Sequence, residues 1–418
     1  MPFKLVKKSQ SHFVFINQYY PPDLAPTGVM LRDVAEKMVA RGIRVTILCS
    51  KGGYSGKGAV GQDAGPSGPI KVVRVPTFRF GRQTLLAKLC DYASFYLFAL
   101  MYAFMVRGKP TCYVAMTTPP YLGVLARLVS RFRGAGHAHW VMDVYPDVMV
   151  AHGILKQDSF KQRVLCSLSR WGFGGRRNHG TVSLGPDMAE RVVNGHGVSQ
   201  CEEIPLWSGI ALDQSAEEMG LSLRKKRGWE QKTVFLYSGN MGLGHRLGEF
   251  ISLAKENGHN SQAHFAFYGG GKRRKEVEEV LDQYDSLPLE LEGYVPEEQL
   301  AGHLLSADVH LASLEPSWDG CMVPSKIQGI MASGRPVIFV GSATSSIGQW
   351  ILESRSGWVV SPGDLDCLRL AFQEAQDEGE RARRGAAALS FSEKMFLKQI
   401  NVRRYADFFT LNSNNIES

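Results

Sequence analysis

The 418 residues predict an α/β protein of two Rossmann-like domains, closed by a C-terminal helix. Three observations carry that prediction. Short β-branched runs alternate with longer stretches of helical spacing almost from end to end, which means parallel sheets with crossover helices. The chain is too long for one ordinary core. A polar, strongly basic seam from Cys201 to Gly228 then interrupts the alternation before a fresh strand at Thr233. The seam divides the chain into a first domain over 1–200, a second over 201–390, and a terminal helix and tail over 391–418.

Strands are expected at HFVFIN, IRVTIL, KVVRV, TCYVAM and HAHWVM in the first domain, and at TVFLYS, AHFAFYG, DVHLAS and PVIFV in the second. The glycine-rich stretch Gly52 to Gly68 cannot bury apolar area and reads as a mobile loop. Leu85 to Val106 is the most apolar segment, and Tyr92 to Val106 carries no charge. That uncharged run falls short of the roughly 20 residues a bilayer span requires. It reads either as a buried helix over the first sheet or as a helix whose outer face rests at a membrane, where its aromatics suit the interface. Met395, Phe396, Ile400, Tyr405 and Phe408 recur at helical spacing and predict the terminal helix.

The net charge of +8 is compatible with nucleic acid, an anionic membrane surface or phosphate-bearing substrates. The basic groups form separate short runs: Arg127/Arg131/Arg133, Arg170/Arg176/Arg177, Arg224 to Arg227 and Lys272 to Lys275. Each reads as a solvated helix face. None interleaves with aromatics as a single-strand-binding groove does, so no nucleic-acid partner is expected. Seven cysteines without a C-x-x-C pair give neither a disulfide framework nor a zinc site. The D-x-D triplet Asp364/Asp366 follows a Pro-Gly turn and reads as a helix cap rather than a metal clamp, so neither metal nor cofactor is expected. The N-terminus lacks a secretory pattern, and the expected location is cytoplasmic.

Ligands of parallel sheets collect at the carboxyl ends of strands, beside helix N-termini. After the first strand comes QYYPPDLAPTG and a helix expected near Val29; there Thr27 and Gly28 either cap the helix or let backbone approach a substrate. In the second domain, TVFLYS runs into SGNMGLGH, where Gly239, Gly242 and Gly244 leave amides free to cradle phosphate, and His245 and Arg246 add donors. A nicotinamide cofactor would need an acidic residue at the end of the next strand, which instead ends in Tyr268 and glycines. Ser325 and Lys326 open a helix ended by Gly334 before Pro336. They are expected to face the Gly239 loop, so that loops at the mouths of two separate sheets grip a diphosphate. Asp143 and Asp147, in WVMDVYPD, read either as turn and cap residues or as carboxylates facing the cleft.

In order and spacing, YYPPDLAPTG, WVMDVYPD, FLYSGNMGLGH, FYGGGKRRKEVEE, LEGYVPEEQL, ADVHLAS and PSKIQGIMASGRPVI resemble one group over nearly the whole chain. That group is the retaining glycosyltransferases of GT-B architecture, specifically family 4-like sugar transferases of bacterial capsule, exopolysaccharide and O-antigen synthesis. The resemblance implies two Rossmann-like domains facing each other across a cleft, with the C-terminal helix returning to the first. The resemblance implies a nucleotide-sugar donor in the second domain, with Gly239, Asn240 and Gly242 near its phosphates and Lys326 neutralising the diphosphate leaving group. It implies an acceptor in the first domain, a lipid-linked or free saccharide, with Asp143 positioned to take its proton. A peripheral place on the inner face of the cell membrane follows. Many members carry two glutamates eight positions apart, the second binding the ribose; here those positions are Cys321 and Gly329, and Glu315 and Asp319 lie upstream at other spacings. The sequence thus resembles a subgroup with PSK in place of the glutamate pair. Two other readings stay open: a nucleotide-sugar epimerase of the same architecture, and a catalytically silent partner of an active transferase.

Overall fold

The computed structural model describes residues 11–23, 25–51, 70–78, 85–258, 262–284 and 286–411. The expected glycine-rich loop over 52–68 lies outside them. The first domain runs β1 (His12–Ile16), α1 (Pro26–Ala40), β2 (Arg44–Ser50), β3 (Ile70–Val75), α2 (Leu85–Met105), β4 (Cys112–Ala115), α3 (Leu122–Arg133), β5 (Gly136–Trp140), α4 (Asp147–Ala151), α5 (Phe160–Phe173), β6 (Asn178–Ser183), α6 (Pro186–His196) and β7 (Cys201–Glu203). The second runs α7 (Gln214–Arg227), β8 (Thr233–Ser238), α8 (Gly248–Asn257), β9 (Ala263–Tyr268), α9 (Arg274–Gln283), β10 (Leu289–Glu292), α10 (Leu300–Leu305), β11 (Val309–Ser313), α11 (Lys326–Ala332), β12 (Val337–Val340), α12 (Ser346–Ser354), β13 (Gly357–Val360) and α13 (Leu365–Glu374). Two last helices, α14 (Glu378–Met395) and α15 (Lys398–Leu411), follow.

The strands form two parallel sheets, ordered β3-β2-β1-β4-β5-β6-β7 and β10-β9-β8-β11-β12-β13. Strands such as β1, β4 and β11 are buried along their whole length, because helices cover both faces of a parallel sheet. The order reverses between β1 and β4 and between β8 and β11, and a ligand crevice opens beyond the carboxyl ends at each reversal. β7 belongs to the first sheet through Thr181 and Cys201, so that sheet ends at Glu203.

The expected terminal helix is two helices, broken at Phe396 and Leu397, where Asn401 Nδ2 donates to the carbonyls of Met395 (2.7 Å) and Pro205 (3.0 Å). α15 packs on α1 of the first domain: Arg41 pairs with Asp407 at 2.8 Å, Tyr405 lies 4.3 Å from the Trp140 ring, and its hydroxyl donates to the Ile204 carbonyl. α2 serves the first sheet with Phe95, Ala99 and Ala103, all fully buried. Among the described residues no helix is long and apolar enough to cross a membrane.

The helix expected near Val29 begins three residues earlier, with Pro26 in its first turn, where the missing N–H costs nothing. Gly28 therefore lies inside α1 and packs on the loop before it: a Cβ there would stand 2.9 Å from the Tyr19 carbonyl oxygen. Backbone cannot yield as a side-chain tip can. Gly28→Ala is expected to destabilise the protein by about 1–3 kcal/mol, read as a lower urea midpoint at unchanged m-value.

Candidate active site

β8 and β11 are neighbours in the second sheet, so the Ser238–Arg246 loop and the start of α11 open on one side of it. This corrects the expectation of two separate sheets: Gly239 and Lys326 belong to the mouth of a single sheet. Gly239 has φ +123°, a conformation open to glycine, and a Cβ there would lie 3.9 Å from Lys326 Nζ. Lys326 Nζ donates to the Tyr237 hydroxyl at 2.9 Å and sits 4.1 Å from the centre of that ring. The hydroxyl donates in turn to the Asn240 carbonyl at 3.1 Å. Among the described residues no carboxylate pairs with Lys326, and burial lowers its pKa to about 7. A half-buried cation without a counter-ion favours any anion that reaches it.

The other expected donors are differently placed. His245 Nδ1 donates to the Ser313 carbonyl at 2.7 Å, and burial, reinforced by Lys326, lowers its pKa to about 3. It is neutral and leaves Nε2 as a lone-pair acceptor, not the donor the sequence suggested. Arg246 is held by Glu249 (2.7 Å) and Glu315 (3.0 Å), and Glu315 also accepts from Arg273 at 3.3 Å. Arg273, read from sequence as part of a solvated run, thus stands at the site. Ser325 is exposed and makes no capping bond. At Gly242 a Cβ would meet Asn240 Nδ2 at 2.9 Å, so these two residues are packed together. At Gly329, where the resembled group has its ribose-binding glutamate, a Cβ would meet Ile210 Cδ1 at 3.3 Å and Leu304 Cδ1 at 3.4 Å, an apolar wall. Glu315 is committed to the two arginines, and Asp319 is half-buried with its pKa raised by burial to about 6.

On the first-sheet side, β5 delivers Asp143. Its N–H and that of Met142 donate to Thr117 Oγ1 at 3.1 and 3.2 Å, which fixes the turn. The Asp143 carboxylate has no hydrogen bond or ion pair among the described residues, and burial raises its pKa to about 6. It lines a small recess of about 40 Å³, open to solvent, with Thr117, Tyr121, Tyr145 and Phe173. The Tyr121 hydroxyl there is buried and has no partner among the described residues. Sequence reasoning missed Thr117 and Tyr121, and only their position just beyond β4 could have signalled them.

Asp143 also forms an antiparallel β-bridge with Met322, and Val144 N–H donates to the Cys321 carbonyl at 2.8 Å. The segment leading into Lys326 is thereby tied to the segment carrying Asp143. Gly320 N–H donates to Asp187 at 2.9 Å and Trp318 meets His152 at 4.5 Å, adding to the same junction.

Asp147 lies elsewhere than at the open face of the cleft: its oxygens accept from Arg191 and His196, both at 2.8 Å. Burial opposes its ionisation, but these bonds hold its pKa below the usual carboxylate range. Thr27 Oγ1 accepts from Asn17 Nδ2 at 3.3 Å. Asp364 caps α13 by accepting from Cys367 N–H, and Asp366 pairs with Arg369, as the capping reading expects. Among the described residues no group of three or more His, Cys, Asp or Glu is arranged to hold a metal ion.

Two parallel α/β domains meeting at such a junction form the GT-B architecture of glycosyltransferases. The chain belongs to the glycosyltransferases that pair a glycosyl transferase 4-like domain, matched over residues 27–207, with a glycosyl transferases group 1 domain, matched over 232–375. It is 26% identical over 276 residues to WbjE of Pseudomonas aeruginosa, named as a glycosyltransferase, covering 64% of this chain and 67% of that one. It is 23% identical over 371 residues to WcaI of Escherichia coli K12, named as a colanic acid biosynthesis glycosyl transferase, covering 85% and 90%. Among solved structures it is similar to WaaG, a glycosyltransferase involved in lipopolysaccharide biosynthesis, with a TM-score of 0.66, 15% identity, and 95% and 99% of the two chains covered. It is likewise similar to HepE of Anabaena in complex with UDP, with a TM-score of 0.67, 14% identity, and 96% and 100% covered. At these identities the solved structures speak to the fold alone.

Proposed function

We propose that the second domain holds a UDP- or GDP-sugar and that the enzyme passes the sugar, with retention at the anomeric carbon, to a lipid-linked saccharide in the first domain during cell-surface polysaccharide assembly. The bond from the anomeric carbon to the diphosphate breaks, the acceptor oxygen takes its place on the same face, and the acceptor proton goes to Asp143. Gly239, Asn240, Gly242 and Ser325 surround the phosphates, and Lys326 neutralises the charge that develops on the departing diphosphate. Arg246 and Arg273 reach it by releasing Glu315, and His245 Nε2 accepts from a sugar hydroxyl. Thr27 and Gly28 border the acceptor side, and Asp147 keeps that side in shape through Arg191 and His196. The enzyme works in the cytoplasm, peripherally on the inner face of the membrane.

One observation carries the reading: Lys326, a half-buried cation without a carboxylate partner among the described residues, lies against the Gly239 turn on a segment bridged to Asp143, whose carboxylate is likewise unpaired among them. WcaI, named for colanic acid biosynthesis, lends the polysaccharide setting, and HepE lends the uridine diphosphate.

A ligand that binds only the folded state raises its apparent stability, by about 2.7 kcal/mol at a hundredfold excess over Kd. UDP or GDP is therefore expected to raise the melting temperature, and Lys326→Ala to shrink the rise. A melting temperature indifferent to both nucleotides sinks the proposal.

A further inference from the structure

The outward faces of three neighbouring helices carry apolar side chains exposed to solvent. α3 contacts both α2 and α5, and α3 and α5 meet closely, since a Cβ on Gly172 would stand 3.1 Å from the Val124 nitrogen. On α2, Leu89, Leu97, Met101 and Met105 share one face and are 45–66% exposed. On α5, Phe160, Val164, Leu168 and Trp171 do the same at 39–81%. Phe132 at the end of α3 is 70% exposed. Single exposed apolar residues are ordinary, whereas this many in one helical layer mark an interaction surface.

The charge of the stretch that holds α3 and α5 selects the partner; on the two helices themselves stand Arg127, Arg131, Arg133, Lys161, Arg163 and Arg170, with no Asp or Glu. From Arg107 to Arg177 the sequence holds eleven Lys and Arg against three Asp and no Glu, an excess equal to the +8 of the whole chain. Two of the three acids, Asp143 and Asp147, belong to the active-site region. Arginines elsewhere pair with carboxylates, as Arg224 and Arg273 do, but none of these eleven does among the described residues. Arg127 lies 4.5 Å from the centre of the Trp171 ring, a cation beside an exposed indole, as at a headgroup boundary.

We infer that the α2–α3–α5 layer docks on an anionic lipid bilayer, its apolar side chains entering the headgroup region and its cations meeting lipid phosphates. The layer borders the active site. Tyr121 and Leu122 from the start of α3, and Ser169 and Gly172 from α5, line the recess that holds Asp143. Docking brings that recess to headgroup level, where a lipid-borne saccharide is presented from the membrane rather than from solution. The inference rests on the peripheral reading above and names its surface.

The test is co-sedimentation of the full chain with vesicles of phosphatidylcholine alone or mixed with phosphatidylglycerol. Several cations near the surface, each worth about 1 kcal/mol, predict binding to the mixed vesicles at least about tenfold tighter than to the neutral ones. Val164→Glu with Leu168→Glu, and separately Leu97→Glu with Met101→Glu, are each expected to weaken it at least about tenfold. Leu370→Glu, 61% exposed on α13 of the second domain, leaves it unchanged. Circular dichroism melts check each fold, and Arg131→Ala with Arg163→Ala, expected to lose about tenfold or more, serves should a glutamate pair misfold. Wild-type binding unaffected by the helix variants overturns this surface while the peripheral reading stands. Wild type left in the supernatant with both vesicles overturns both. A dimer in sedimentation velocity that the α5 pair splits makes the face a self-interface and overturns the lipid assignment.

Discussion

Lys326→Met is expected to lower kcat/KM by about 10²–10³ while leaving the folded protein at least as stable, because the lysine is held for its charge and not for packing. Methionine keeps an unbranched apolar stem against Tyr237 and removes the ammonium. The two effects have opposite signs for one reason. Burial without a carboxylate lowers the lysine from its usual 10.5 to about 7, so its protonated form is favoured by unfolding. Wild type therefore gains stability as pH rises from about 7 towards the unfolded value near 10.5, and the variant lacks that gain. A departing diphosphate supplies the missing anion, favours the protonated lysine and draws in a proton when it binds above about pH 7. Steady-state rates with a nucleotide sugar, beside melting curves at pH 7 and 9, check both halves. An unchanged kcat/KM removes Lys326 from the site, and a variant that loses activity by unfolding shows that the lysine holds the fold.

What the sequence made legible follows from how far each property reaches along the chain. β1, β4, β8 and β11 announce themselves because central strands of parallel sheets are apolar on both faces. β6, reading NHGTVS, and the edge strands β7, reading CEE, and β10, reading LELE, carry no such run and were missed, as was the four-residue edge strand β13, reading GWVV. The Gly239 turn and Lys326 were legible because a glycine conformation and a helix start are local. The states of their neighbours were not. His245 is made an acceptor by a carbonyl 68 residues away, Arg246 is held by a carboxylate 69 residues away, and Asp147 is closed off by a histidine 49 residues away. The basic runs misled in the same way. Read one at a time they are solvated faces, and the fold gathers those of α3 and α5 into one layer.

Asp143→Asn is expected to cut kcat by about 10²–10⁴, with a far smaller effect on donor affinity, since it removes a proton acceptor and leaves the phosphate pocket intact. Its pH dependence tells this role from a structural one. Burial raises the Asp143 carboxyl to about 6, so the base form accumulates as pH rises through that value. Lys326 must be protonated and loses its proton through about 7, so kcat/KM against pH is a narrow bell. Removing either group opens one side: Asp143→Asn abolishes the acid limb and keeps the alkaline one, and Lys326→Met does the reverse. The bridge from Asp143 to Met322 is made by backbone, and the Thr117 contacts are to backbone N–H groups, so asparagine disturbs neither. Should the acid limb survive in Asp143→Asn, the acceptor proton goes elsewhere. An oxygen of the departing diphosphate, on the face where the new bond forms, would then be its destination, and Asp143 would be left the work of joining the two domains.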